Sequence, residues 1–465
     1  MHPTPIVVLD NGASTIKTNV VVADEVDIVL PEPRTVTNAI VRQTKGDKKI
    51  FFGHEFDRCK DFATLHYRLP FERGYLTDWD AQKAIWDGLF SSDCLKITTS
   101  EASLLITEPY FNLPNIQEQY DQFVFEEYEF QSYYRCTPAS LIPYGSLFHD
   151  EASDSEGPPE CMLIVDSGYS FTHVVPVMSG KVIWRGVRRL DIGGKLLTNH
   201  LKELLSLRQY DLMGETYITN DIKEKCCYVS TNYKEDMESS RFHSSKIVQE
   251  YILPKYSEGR AGRVKLQGEQ IPADEDVVRM NTERFSVPEV LFRPTDIGLD
   301  QAGLSSTIAD SISSLPGDVQ GLFWANIGVV GGNAVFAGFR QRLYVISELR
   351  SLAPVEYEVR VFESSNPITA AYFGGAEYAR QPGFANVSVT RTEYQEAGSN
   401  ACIRKFRNGT WQAKEVGDEV PQGAGKEAGR SRVRSRVGKP QLQEADIGIE
   451  KQPLRSSRSR MATKG

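Results

Sequence analysis

The chain has 465 residues, of which 40% are hydrophobic and 25% charged, with a formal net charge of −9. This is an ordinary globular composition, in a chain long enough for two or three domains or one large bilobed α/β body. No apolar run approaches the roughly 18 residues of a membrane span, and residues 1–5 lack a secretory signal's basic and apolar regions. Seven scattered cysteines without a CxxC pair favour reduced thiols over disulfides or a zinc site.

Charge is divided unevenly along the chain. Residues 408–465 carry 12 Lys and Arg against 7 Asp and Glu, a net charge of +5, which leaves −14 for residues 1–407. Because an acidic body binds nucleic acid poorly, any DNA contact should be local or supplied by the tail. The 408–465 composition predicts a disordered basic tail. Its spaced arginines suit an import signal or phosphate contacts as well as a merely solvated end.

Two segments 156 residues apart share one pattern. Residues 6–12 and 162–168 are each an apolar strand that ends in Asp-[Asn/Ser]-Gly, followed by a serine and a second strand. Both are predicted to be β-hairpins with a glycine-centred turn. A duplicated hairpin implies two related lobes that face one another.

The other predicted elements follow from periodicity and turn residues. In chain order they are a helix opened by residues 78–80, a buried strand at 104–106, a helix at 196–207, a polar surface excursion at 231–286, a strand at 329–330 before a glycine turn, and a helix at 339–349.

These landmarks, in this order, resemble the actin and actin-related protein family. Residues 10–17 are similar to its first phosphate hairpin, residues 166–173 to the second, and residues 331–333 to the adenosine turn; the match extends from residue 6 to about 406. The resemblance implies an α/β, actin-like bilobed fold, with two related α/β lobes and a nucleotide cleft between them. Residues 68–76, 108–114 and 133–138 are similar to the nuclear actin-related protein 6 class, whose members are subunits of the complex that exchanges histone H2A for H2A.Z.

The family's layout implies five regions. They are subdomain 1 (1–31, 69–143 and 369–407), subdomain 2 with a shortened loop (32–68), subdomain 3 (144–192 and 293–368), subdomain 4 with the polar excursion (193–292), and the disordered basic tail (408–465).

The resemblance implies a site for ATP or ADP with Mg²⁺, in a role that could be structural. Backbone N–H groups of such hairpins converge on phosphate oxygens, and glycine lets the turns close near them. Asp10 and Asp166 are expected to face Mg²⁺ through water. The expected cofactor-binding residues are Asp10, Asn11, Gly12, Lys17, Asp166, Ser167, Gly168, His173, Lys223, Glu224, Gly331, Gly332 and Asn333.

Departures from actin predict weak or absent ATPase activity, so no catalytic residue is assigned. Ala13 and Ser14 replace a Ser-Gly turn, and Tyr169 adds bulk where the family has a carboxylate. Cys136 aligns with actin's water-orienting glutamine, and a thiol is a poor substitute for positioning water. The sequence favours a packed thiol at Cys136 over a nucleophile beside His173.

The resulting functional expectation is a non-filamentous structural subunit of a nuclear chromatin-remodelling complex. Its partners would be protein subunits, with histones or nucleosomal DNA contacted indirectly or locally, and no membrane. The short loop within residues 34–52 argues against a homopolymer, although a solvated hairpin tip has the same appearance. Localisation is expected in the nucleus, with a cytoplasmic pool left open. The alternatives are an active ATPase or kinase of the same fold, and a cytoplasmic actin-filament-associated protein.

Overall fold

The computed structural model of the chain describes residues 4–23, 29–44, 48–148, 157–242, 245–344, 348–407 and 409–412. Residues 1–413 form one compact unit, to which all of the described residues belong. Apart from residues 409–412, the predicted basic tail lies outside the described residues. Within those residues, no helix is both long and apolar enough to cross a membrane.

The described residues contain both strands and helices throughout. The strands are β1 Pro5–Asn11, β2 Thr15–Val22, β3 Arg34–Thr37, β4 Ile40–Gln43, β5 Ile50–Phe52, β6 Leu65–Arg68, β7 Phe71–Glu72, β8 Tyr75–Leu76, β9 Ser103–Thr107, β10 Ser132–Cys136, β11 Cys161–Ser167, β12 Thr172–Met178, β13 Lys181–Val182, β14 Arg188–Leu190, β15 Gln249–Ile252, β16 Arg263–Val264, β17 Val277–Met280, β18 Ile327–Val330, β19 Val361–Glu363 and β20 Val389–Thr390. The α-helices are α1 Trp79–Phe90, α2 Pro114–Gln122, α3 Gly194–Arg208, α4 Thr216–Cys226, α5 Tyr233–Ser240, α6 Glu283–Glu289, α7 Leu304–Ser313, α8 Gly317–Trp324, α9 Phe339–Tyr344, α10 Glu348–Leu352, α11 Ala370–Arg380, α12 Phe384–Val387, α13 Arg391–Ala397 and α14 Ser399–Phe406.

Two central sheets are built on the same plan. The first has the order β20-β10-β9-β1-β2-β3, and the second has the order β13-β12-β11-β18-β19 with β14 paired to β12. In each sheet an antiparallel hairpin, β1-β2 or β11-β12, has its first strand paired in parallel with the next strand of the sheet. Asp10 lies opposite Lys17 in the first ladder, as Asp166 lies opposite His173 in the second. The predicted duplication and the two-lobed α/β fold are confirmed.

Buried apolar residues explain why these elements form. The strand residues Val7–Leu9 and Leu163–Val165 are completely or almost completely buried, as expected of strands covered on both faces. Helix α1 begins after Asp78, whose carboxylate accepts a hydrogen bond from the Ala81 N–H, and it buries one face at helical spacing. The predicted helix after residues 78–80 is therefore confirmed, and so is the buried strand at 104–106.

The structure corrects the expectation for residues 231–286. This polar segment contains α5, most of α6 and the antiparallel sheet β16-β15-β17. Tyr251, Val278 and Met280 are buried in the core of the second lobe. Each strand has only two to four residues, too few for an alternating pattern to stand out from the charged residues around it. The subdomain bounds themselves stay predictions.

A second correction concerns the start of the predicted tail. Residues 409–412 pack against the body: Gly409 accepts a hydrogen bond from the Thr137 N–H at 3.0 Å, and Gln117 donates one to the carbonyl of Trp411. The Trp411 ring lies edge-on to Phe111 and Trp184, with centroids 5.1 and 5.3 Å away. A single tryptophan among polar residues gave too weak a signal to predict this contact.

Candidate nucleotide site

The first hairpin carries a buried aspartate at the end of β1. The carboxylate of Asp10 accepts a hydrogen bond from the Thr107 hydroxyl at 2.9 Å, and that hydroxyl accepts one from the Asn11 N–H at 3.0 Å. The Nζ of Lys17 lies 3.9 Å from the Asp10 carboxylate. A Cβ on Gly12 would come within 2.7 Å of the Thr15 carbonyl oxygen, so the turn requires glycine here. The structure thus brings the four predicted residues of this hairpin together.

The second hairpin is joined to the predicted adenosine turn. The Asn333 amide donates to the hydroxyl of Ser167 at 3.1 Å and to the carbonyl of Gly168 at 2.9 Å. Gly331 has a φ of 93°, and a Cβ there would lie 2.4 Å from the Ser167 carbonyl oxygen. By contrast, a Cβ on Gly332 would meet nothing within 4 Å. The turn therefore packs tightly on the hairpin at Gly331 and faces open space at Gly332.

Asp10 and Asp166 influence each other electrostatically. Burial raises the pKa of Asp166, a hydrogen bond from Tyr110 and the charge of Lys17 lower it, and the charge of Asp10 raises it, so that the pKa is about 6. Two carboxylates that repel each other in this way offer hard oxygen ligands, which suit Mg²⁺. Across the described ranges, no group of three His, Cys, Asp or Glu side chains could hold a metal ion. With the two carboxylates of Asp10 and Asp166 as its protein ligands, directly or through water, Mg²⁺ would keep several waters, as that ion usually does.

His173, one of the expected cofactor-binding residues, is held neutral. Burial, together with the positive charge of Arg189, lowers the pKa of His173 to about 3. The ring of His173 lies 4.4 Å, centroid to centroid, from the ring of Tyr110. His173 is thus paired with the second hairpin's aspartate across the ladder, and its ring contacts that of Tyr110.

Tyr110 is a site residue that the sequence reasoning missed. It is 5% exposed, its hydroxyl donates to the Oδ2 of Asp166 at 2.9 Å, and it accepts from the Ala139 N–H at 3.1 Å. Tyr110 thus places an aromatic side chain directly against Asp166, in addition to the bulk expected from Tyr169 in the turn. The residue follows a buried strand and a proline, a place that carries no recognisable site motif.

Cys136 is a packed thiol. Its side chain is fully buried, and burial raises the pKa of the thiol to about 12. A Cβ on Gly409 would lie 3.2 Å from the Cβ of Cys136, so the backbone at Gly409 closes over it. A thiol with such a pKa is protonated near neutral pH, which disfavours a nucleophile at this position.

Lys223 and Glu224, two neighbouring residues of α4, have different surroundings. The Nζ of Lys223 is buried and donates to the carbonyl of Gly194 and to the side chains of Thr198 and Asn220, at 2.8–3.3 Å. Burial lowers the pKa of Lys223. Glu224 is exposed and accepts a hydrogen bond from the same Asn220 side chain at 2.7 Å. Lys223 therefore lies beside the Gly194 backbone near Asn333, whereas Glu224 faces solvent.

An aromatic contact joins the predicted subdomains 2 and 4. The rings of Phe62 and Tyr217 are stacked with centroids 4.2 Å apart, and Phe62 also contacts Tyr256 at 5.6 Å. The Thr64 N–H donates to the carboxylate of Glu215 at 2.8 Å. These contacts bridge the two regions at a point separate from the hairpins.

The fold and this pair of hairpins define the class of the protein. The chain belongs to the actin family: the sequence model described as Actin matches residues 1–407.

Individual relatives extend this result. The chain is 44% identical over 429 residues to the Actin-like protein ARP6 of Cryptococcus neoformans, with 87% of this chain and 85% of the relative covered. It is 38% identical to the Actin-related protein 6 of Neurospora crassa (88% and 95% covered) and 37% identical to that of Drosophila melanogaster (84% and 97% covered). These similarities confirm the resemblance to the actin-related protein 6 class that residues 68–76, 108–114 and 133–138 indicated.

Proposed function

We propose that this chain is a non-filamentous structural subunit of a nuclear chromatin-remodelling complex that exchanges H2A for H2A.Z, and that it contributes to transcription regulation in this way. The proposal is supported by the similarity to relatives named actin-related protein 6 and by the properties that the class resemblance implies. Because it draws on analogy within a fold family, it needs support from the site itself.

The observation that carries the proposal is a pair of hairpins whose side chains suit a charged ligand but are poorly suited to position water. Asp10, Asp166 and Lys17 supply the charges for Mg²⁺ and phosphate, and the open space at Gly332 suits the adenosine. Beside Asp166 lies the buried phenol of Tyr110, and Cys136 replaces the amide that would orient water. ATP or ADP bound with Mg²⁺ would then stabilise the two lobes as a structural cofactor.

The proposed partners are protein subunits of the complex, with histones or nucleosomal DNA contacted indirectly or through local surfaces. The acidic charge of residues 1–407 favours protein contacts for the body, and the basic residues after 408 are available for phosphates or for nuclear import. Localisation in the nucleus, with a cytoplasmic pool left open, belongs to the same proposal, as does the absence of homopolymers.

The test is purification of the tagged full chain from nuclear extract, followed by mass spectrometry of its partners and of any nucleotide released on denaturation. We expect remodelling subunits and histone H2A.Z to co-purify with it. Recovery of the chain alone, or only with cytoskeletal proteins, would refute the proposal. Co-sedimentation with actin filaments tests the cytoplasmic alternative.

The alternative of an active ATPase or kinase predicts phosphate release that the Asp166→Ala substitution abolishes. Release by the unaltered chain no faster than in buffer removes that alternative. Sustained release from the unaltered chain would instead show that water reaches the phosphates despite Tyr110 and Cys136.

A further inference from the structure

Tyr110 contacts both Asp166 and His173, the two residues that face each other in the second hairpin beside the predicted phosphate region. Its hydroxyl has one proton, which it donates to the Oδ2 of Asp166 at 2.9 Å, and it accepts from the Ala139 N–H at 3.1 Å. Its ring lies 4.4 Å from the ring of His173, at an interplanar angle of 40°. Both ends of the side chain are therefore fixed, the hydroxyl by two hydrogen bonds and the ring by His173.

The Tyr110 hydroxyl is hydrogen-bonded to one of the two carboxylate oxygens of Asp166. Oδ2 is already bonded to a buried phenol, so this hydrogen bond sets the orientation of the carboxylate. In metal sites, groups that hold a ligand in this way contribute to metal affinity, and their loss typically weakens it 10–100-fold. The Tyr110 hydroxyl would thus keep the Asp166 carboxylate oriented for a Mg²⁺ bound together with a nucleotide.

The same contacts leave little opportunity for an attacking water beside His173. Hydrolysis of a phosphoanhydride needs a polar group that holds a water molecule in line with the bond that breaks. The hydroxyl of Tyr110 is engaged with protein atoms on both sides, its ring packs against that of His173, and Cys136 is fully buried. Neither Tyr110 nor Cys136 is arranged to hold water, and the Tyr110 ring restricts access to His173.

We propose that Tyr110 is a positioning residue of the nucleotide site, which holds Asp166 for Mg²⁺ and excludes the attacking water, so that a bound nucleoside triphosphate stays uncleaved. The inference rests on the proposed structural role of the nucleotide and specifies it further. The ligand retained at this site would be a nucleoside triphosphate bound with Mg²⁺.

The test compares the full-length chain with its Tyr110→Phe variant, which keeps the ring and removes the hydroxyl. The dissociation constant of ATP is measured by calorimetry with Mg²⁺ and again with EDTA. We expect roughly tenfold weaker binding of Mg·ATP by the variant and equal binding in EDTA. The matched control is Tyr133→Phe, because Tyr133 is completely buried and its hydroxyl has no hydrogen-bond partner within the described part of the chain. The control should bind Mg·ATP like the unaltered chain.

A second measurement follows the identity of the retained nucleotide. The unaltered chain is incubated with Mg·ATP, freed of excess ligand and denatured, and the released nucleotide is separated by ion-exchange chromatography. Recovery of ATP is expected, whereas recovery of ADP overturns the exclusion of water. Equal affinities of Tyr110→Phe and the unaltered chain overturn the positioning role. Absence of Mg·ATP binding by the unaltered chain also overturns the inference, but the subunit assignment would still be decided by the purification from nuclear extract. Circular dichroism of each variant verifies its folding.

Discussion

The Gly331→Ala substitution should destabilise the second lobe strongly. Gly331 has φ 93° and ψ 169°, a region almost restricted to glycine, where another residue costs about 1–3 kcal/mol. The added Cβ would also lie 2.4 Å from the Ser167 carbonyl oxygen, closer than any van der Waals contact. Relief of this overlap requires movement of the end of β11, and such overpacking typically costs a further 1–3 kcal/mol or so. The expected total is about 4 kcal/mol.

The neighbouring glycine provides a matched control. A Cβ on Gly332 would meet no atom within 4 Å, so Gly332→Ala should change the free energy of unfolding by less than about 1 kcal/mol. The methyl group would instead project into the open space proposed for the adenosine. Gly332→Ala should therefore weaken Mg·ATP binding roughly tenfold or more, as a misplaced methyl group does in a fitted pocket.

Thermal unfolding followed by circular dichroism measures the difference between the two variants. For a folded unit of about 400 residues, a loss of about 4 kcal/mol lowers Tm by about 5 °C. Equal Tm values for Gly331→Ala, Gly332→Ala and the unaltered chain would refute the reasoning about the turn. A loss of stability in Gly332→Ala alone would refute it as well.

Three further predictions concern other parts of the chain. Burial raises the pKa of the Asp121 carboxyl to about 6. This pKa lies above that of an aspartate in the unfolded chain, so the protonated carboxyl adds to the free energy of unfolding below about pH 4. That contribution is lost as pH rises through 6, and the loss is on the order of 3 kcal/mol. In urea titrations from pH 3.5 to 7.5, the Asp121→Asn variant should not show this loss of unfolding free energy. Identical pH profiles for the variant and the unaltered chain would contradict the prediction. Phe62→Ala removes the stack on Tyr217 between the predicted subdomains 2 and 4, so release of a fluorescent ATP analogue, timed by stopped flow, should become severalfold faster; an unchanged rate would show that this contact does not restrain nucleotide release. Trp411→Ala removes the ring contact with Trp184 and should cost about 2 kcal/mol, whereas truncation after residue 412 should leave Tm unchanged. A Tm loss caused by the truncation alone would show that the stabilising contacts lie further along the chain.

Much of the fold could be predicted because local signals were strong. The two hairpins combine apolar strands with Asp-[Asn/Ser]-Gly turns, and helix α1 has an aspartate at its N-cap and apolar residues at helical spacing. Short strands between charged residues gave no comparable signal, which is why the sheet β16-β15-β17 was missed. The packing of Trp411 was missed because the composition of the following residues dominates that region.

The sequence by itself determined which residues could form a nucleotide site. Asp10, Lys17 and Asp166 lie at the strand ends beside glycine turns, and Gly331 lies in such a turn, so the local pattern predicts their place, since hairpin geometry depends on neighbouring residues. Only the tertiary structure decided which side chains contact the two aspartates. Tyr110 is 56 residues from Asp166 in the chain, and no local pattern could indicate that its hydroxyl would be buried against that carboxylate. Lys223 and Glu224 are adjacent in sequence, yet packing buries one against Gly194 and leaves the other in solvent. Contacts of this kind depend on the three-dimensional meeting of distant elements, which composition and periodicity do not record.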